Sequence, residues 1–166
     1  MKKPISSLCL PSHASQERVS GVDMARIIQP MQQLGLNKDF KVTVWDIATD
    51  TAKMEWPFIA QNYDIIYFNY LNHPWGFAAM GAMARHYGCK LVMDIDDALH
   101  LIKQDNLAYE LFKKGSEGIK TITAIINEVD HLTVTNRYLK NIMAHYTLKT
   151  HDKITAIDNY IDLDLY

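Results

Sequence analysis

Three carboxylates, Asp94, Asp96 and Asp97, fall within four positions directly after an apolar run in KLVMDIDDALH (90–100), and His100 closes the stretch. Taken as residue chemistry alone, two roles suggest themselves. Asp96 or Asp97 could cap a helix beginning near Ala98, its carboxylate accepting the free N–H groups of the first turn. Alternatively the three could ligate a hard divalent cation, which wants several oxygen donors. No second acidic cluster is evident elsewhere in the sequence to complete such a shell.

The elements that must position these groups follow from hydrophobic periodicity. Ile5 to Leu10 reads as a first strand, PSHASQERVSG (11–21) as a polar loop, and Val22 to Leu34 as a helix with Val22, Ala25, Ile28, Met31 and Leu34 at helical spacing, closed by Gly35. FKVTVWDI (40–47), DIIYFNY (64–70) and KLVMDI (90–95) are β-branched or apolar runs of the length of strands buried on both faces. A crossover helix, HPWGFAAMGAMARHYG (73–88), starts near Pro74 and stops at Gly88. Residues 105–129 are mostly helical, weakened by Gly115 and Gly118, before a fifth strand (131–135), a helix (136–146) and a sixth strand (153–157). The segment 48–62 is expected to be irregular, because Trp56-Pro57 breaks any long helix.

Strands alternating with crossover helices predict an α/β fold: a doubly wound parallel sheet with helices on both faces. In such a sheet ligands bind beyond the carboxyl ends of the strands, where the strand order reverses. If the order is the usual 3-2-1-4-5-6, that crevice lies between strands one and four, and the carboxylates leave strand four beside it.

Composition bounds the function classes. The chain has 166 residues, 48% of them hydrophobic, enough for one sizeable core and in the range of about 100–200 residues for a single domain. Seventeen basic and nineteen acidic residues give a formal charge of −2 without long runs of either sign, which argues against stable nucleic-acid binding. Cys9 and Cys89 stand 80 residues apart, each in or beside a predicted strand, and read as small buried hydrophobes of a reducing compartment. The apolar run after Lys2 and Lys3 is too short for a signal segment, and no stretch reaches the roughly 18 apolar residues of a membrane span. The expectation is a cytoplasmic protein, with peripheral membrane contact left open.

Two families share motifs with the chain. The run LVMDID is similar to the first motif of haloacid-dehalogenase-type phosphatases, in which Asp94 and Asp96 would be nucleophile and general acid. Against this, some ninety residues precede the motif and the later acidic motif is missing. RVSGVDMARIIQPMQQLG (18–35), YDIIYFNYLNHP (63–74), CKLVMDIDDALHLI (89–102), VDHLTVTNRYLKNIM (129–143) and KITAIDNYIDLDLY (153–166) together resemble the N-terminal half of a GT-B glycosyltransferase of the retaining group 1, family 4 type. The resemblance implies a Rossmann-like domain over 1–158, forming the acceptor-binding side of a sugar transferase, with Asn159, Ile161 and Asp162 at the start of an interdomain linker (159–166). A C-terminal domain or a partner chain would bind the nucleotide-diphosphate sugar donor. No cofactor and no metal are implied, and the chain alone is expected to be inactive. A non-catalytic binding or assembly module of the same fold is the third reading.

By the same resemblance, Gly21 matches a glycine loop whose backbone approaches donor phosphate and acceptor; a simple helix-entry turn is the plain alternative. Arg18 and Ser20 lie in that loop, and Arg18 would meet a phosphate or an acidic acceptor. Asn69, Asn72 and His73 would face the cleft at the exit of strand three. Many relatives carry a histidine just beyond strand four; here Asp94 holds the strand end and His100 is the nearest histidine. Asp94, Asp97 and His100 are therefore the catalytic candidates, and Asp94, Asp96 and Asp97 would hydrogen-bond acceptor hydroxyls or orient the attacking one. Asn136 and Arg137 begin the helix after strand five, Asn136 also reading as its N-cap. Tyr67, Phe68, Tyr70, Trp75 and Phe77 read as core and cleft wall. The acceptor, whether a sugar or a lipid-, protein- or nucleic-acid-linked group, is not specified.

Overall fold

The computed structural model describes residues 3–11, 21–45, 54–69 and 74–158. Six strands, β1 (Ile5–Leu10), β2 (Phe40–Val44), β3 (Ile65–Phe68), β4 (Lys90–Ile95), β5 (His131–Val134) and β6 (Ile154–Ala156), form one parallel sheet in the order β2-β1-β3-β4-β5-β6. β1 is buried from Ser6 to Leu10 without alternation, as a strand covered on both faces must be. Ser7 pairs with Val42 on one side and Ile65 on the other. The α/β doubly wound expectation is met.

The strand order differs from the one used to place the crevice. β3, not β4, lies beside β1, so the order reverses between β1 and β3. The cause is the direction of successive crossovers: β1 to β2 steps one way, and β3 then returns to the free edge of β1. The right-handed rule for parallel crossovers puts the helix after β1 and the helix between β3 and β4 on opposite faces, because those two steps run in opposite directions across the sheet.

By packing the chain falls into two compact units, dividing between Asp94 and Ile95. In the first, residues 21–35 form one continuous helix with three parts: α1 (Gly21–Asp23), a π-helical turn (Met24–Ile28) and α2 (Gln29–Gly35). Pro30 accounts for the wide turn. It has no N–H to give the Arg26 carbonyl one turn back, and its ring would crowd that carbonyl. The π turn instead closes from Gln29 N–H to the Met24 carbonyl, and the Tyr67 hydroxyl donates to the Arg26 carbonyl at 3.4 Å. The register shift rotates the helix. Asp23, Arg26 and Ile27 are buried, while Val22, Ala25, Ile28, Met31 and Leu34, the face expected from spacing, are only half-buried. Ile27 packs with Cys9 and Tyr67 against Met31, Val42, Val44 and Val92.

The segment expected to be irregular contains helix α3 (Trp56–Asn62), in whose first turn Pro57 sits. There a missing N–H costs nothing, so the proline starts the helix it was expected to break. α3 packs against α4 (Pro74–Tyr87). Gly88, with φ of 76°, ends α4 as a left-handed C′ residue.

In the second unit the expected helix 105–129 is two helices, α5 (Tyr109–Phe112) and α6 (Glu117–Glu128). Gly115 turns the chain at φ 85°, and Ser116 caps α6, its Oγ accepting from Ile119 N–H at 3.2 Å and donating to the Leu111 carbonyl at 2.6 Å. α6 buries Ile119, Ile122, Ile125 and Ile126; α7 (Arg137–Tyr146) buries Leu139, Ile142 and Met143. Asn136 caps α7 by accepting from Leu139 N–H at 2.8 Å. Replacing either cap by alanine should cost about 1 kcal/mol. Urea denaturation of Ser116→Ala and Asn136→Ala checks this, and midpoints unchanged in both would remove the caps as stabilising features.

Candidate functional site

The first unit holds Gly21 and Asp94 at carboxyl-end positions. Gly21 opens the α1 helix and is exposed, and a Cβ built there meets none of the described residues within 4 Å. Asp94 is not turned toward any opening. It is fully buried at the end of β4, and the Arg26 guanidinium grips both its oxygens, Nε to Oδ2 at 3.0 Å and Nη2 to Oδ1 at 2.5 Å. This forked pair is the geometry in which arginine holds a carboxylate most firmly. The two residues come from elements 68 positions apart in sequence, so the pair pins the π turn to the end of β4.

Arg26 was not singled out from the sequence. The signal was present: Asp23 and Arg26, at i and i+3, interrupt an apolar run that a surface helix would have kept clear of charge on its inner face. Asn69, immediately after β3, is also buried, and its Nδ2 has no hydrogen-bond partner among the described residues. Cys9 and Cys89 are buried and not joined in a disulfide, with burial pushing the Cys9 thiol up to about 11, which makes it inert as a nucleophile.

The second unit holds Asp96, Asp97, His100, Asn136 and Arg137. Neither aspartate caps the turn that follows. It is a single 3-10 turn, Leu99–Leu101, whose cap position falls on Ala98 with no side-chain cap, and Leu99 N–H bonds the Asp97 backbone carbonyl instead. Asp97 is exposed and Asp96 half-buried. The Thr135 hydroxyl reaches the Asp96 carbonyl in a long contact of 3.5 Å, which brings the exit of β4 next to the exit of β5. Asp96, Asp97, Asn136 and Arg137 are thus gathered at one edge, with Asp97, Asn136 and Arg137 exposed there.

His100 is drawn away from solvent. Its Nε2 meets Thr123 Oγ1 on α6 at 2.9 Å and its ring stacks on Tyr146 of α7, centroids 5.2 Å apart. Burial lowers its affinity for a proton. Arg18, Ser20, Asn72, His73, Asn159, Ile161 and Asp162 lie outside the described residues. Among the described residues no three histidine, cysteine, aspartate or glutamate side chains converge as a metal shell would need, Asp94 being turned to Arg26. An open groove of about 550 Å³ lies at the far end of α7, between His145, Lys149 and His151, and contains none of the candidate residues.

The six-stranded parallel sheet with its crossover helices defines a Rossmann-like α/β domain, the kind of fold that makes up one half of a GT-B molecule. Among solved structures the chain is similar to the Anabaena protein Alr3699/HepE, crystallised in complex with UDP, at a TM-score of 0.55 and 13% identity. The match covers 97% of this chain and 46% of that one, so the chain spans about half the length of the protein it resembles. No family model and no curated protein matches the sequence. Among the described residues no helix is long and apolar enough to cross a membrane.

Proposed function

We propose that the chain is the acceptor-side half of a retaining glycosyltransferase that moves a sugar from a nucleoside-diphosphate donor, with a second α/β domain or a partner chain supplying most of the donor site. The observation that carries this reading is the structural match over nearly the whole chain to about half of a protein crystallised with UDP. The carboxylate run after β4, TVTNRYL at the start of α7 and the closing DNYIDLDLY supply independent support from sequence.

In this reading the exposed backbone at Gly21 and the N–H groups behind it face the donor phosphates. Asp97, Asn136 and Arg137, with Asp96 beside them, receive the acceptor, the carboxylates orienting its hydroxyls. Closure over the acceptor excludes water and so favours transfer over hydrolysis. Asp94 acts through Arg26 as a positioning residue. That arrangement takes support from the phosphatase alternative, because a nucleophilic aspartate must present an oxygen to phosphorus, and both Asp94 oxygens are buried and held.

The test compares the isolated chain with the same chain joined to whatever second domain its reading frame or genomic neighbour encodes. Each is incubated with a panel of nucleoside-diphosphate sugars, and release of the nucleoside diphosphate is followed. The isolated chain is expected to give none. The two-domain form is expected to turn over a donor and to lose about 10- to 100-fold in rate with Asp97→Asn. Magnesium-dependent phosphate-ester hydrolysis by the isolated chain, abolished in Asp94→Asn, would replace this reading with the phosphatase.

A further inference from the structure

The hydrogen bonds around His100 determine which of its nitrogens carries the proton. Thr123 has a single hydroxyl proton, and it donates this to the Ile119 carbonyl one turn back on α6, at 2.6 Å. Toward His100 it can therefore only accept. The 2.9 Å contact requires an N–H on Nε2, so the neutral ring is the Nε2–H tautomer and Nδ1 bears a bare lone pair. That Nδ1 is buried and, among the described residues, has no hydrogen-bond partner. A proton placed on it becomes a buried donor with no acceptor on a newly charged ring, which is unfavourable on both counts.

We propose that His100 is an acid-released latch: in its neutral form it fastens the Leu99–Leu101 turn to α6 through Thr123 and to α7 through Tyr146, and protonation of Nδ1 frees the turn and the Asp96–Asp97 segment before it. The titratable groups around the ring do not offset that protonation. Tyr146 stacks on it from α7, and His145 meets the edge of Tyr146, not His100. On α6, Lys120 is exposed and paired with Glu117; on its own segment, Asp97 and Lys103 are exposed. Burial alone drives His100 below the ordinary histidine value of 6.5.

The direction in pH follows. With the closed-state value depressed, the latch is at full strength above about pH 6.5, the value of the released ring, and weakens as pH falls toward the closed-state value. The inference stands apart from the identity of the substrate, since it concerns only packing inside the second unit.

Two measurements on the intact chain test it. Side-chain NMR of His100 near pH 7.5 should show the Nε2–H tautomer and a titration midpoint below that of free histidine; the Nδ1–H tautomer, or a midpoint at or above the free value, overturns the latch. Hydrogen exchange of residues 98–103, corrected for the intrinsic rate, should be about five- to tenfold less protected near pH 5 than near pH 7.5. His100→Gln keeps an N–H for Thr123 but takes no proton, so its protection should change less than about twofold over the same range. Equal acid loss in wild type and His100→Gln would assign the sensitivity to other groups. Should that variant fail to fold, the NMR midpoint and tautomer of the wild-type ring decide alone.

Discussion

Arg26→Met is expected to destabilise the protein by about 3–5 kcal/mol, because it takes from the Asp94 carboxylate, buried at zero exposure, the guanidinium that grips both its oxygens. That is a large share of the roughly 5–15 kcal/mol that holds an ordinary domain together. Asp94→Leu should do similar damage for the mirror reason, taking the carboxylate away from a guanidinium that is itself 5% exposed. The double variant Arg26→Met/Asp94→Leu removes both charges of the pair together with their desolvation penalties, and should lose less than the sum of the two single losses. Equilibrium denaturation of the four proteins closes the cycle. A loss below about 1 kcal/mol in Arg26→Met would mean the pair is solvated and worth no more than a surface ion pair, and its assignment as the pin between the π turn and β4 would fall.

Gly118→Ala is expected to cost about 3 kcal/mol, against the small gain alanine usually brings inside a helix. A Cβ at position 118 would lie 2.2 Å from the Leu111 carbonyl oxygen, a backbone atom that cannot swing aside as a side chain would. That carbonyl is held in place by the Ser116 hydroxyl, so the turn between α5 and α6 must open to admit a methyl group. Gly81→Ala is the contrast: inside α4 its new Cβ meets only side-chain atoms, at 3.6 and 4.0 Å, and the variant should match or slightly exceed wild type in stability. Thermal or urea unfolding of both variants gives the comparison. Equal midpoints would show that the α5–α6 turn relaxes freely.

The strands were the most legible part of the sequence. β1, β4 and β5 stand where their runs placed them, because a strand covered on both faces needs no distant information to be recognised; β6, with Thr155 and Ala156 exposed, was legible from its short β-branched run alone. The Asn136 cap was legible for a similar reason, its partner Leu139 being three residues away. The break between α5 and α6 was half visible: Gly115 and Gly118 marked weakness, but a stop required knowing that position 118 runs against the backbone of Leu111. The start of α3 was misjudged because a proline ends or begins a helix according to which side of it packs.

Local chemistry in the sequence determined the alternation of strands and helices, the strand ends at which the carboxylates sit, and the caps whose partners lie within a turn. Tertiary structure alone decided that β3 lies between β1 and β4, since strand order depends on which edge each crossover returns to. It also decided what each carboxylate does. Asp94, Asp96 and Asp97 look alike in KLVMDIDDALH, yet one is gripped by an arginine 68 positions away and another is exposed. Proton affinity and reactivity are set by the groups within a few ångströms, and those groups are brought together only when the chain has folded.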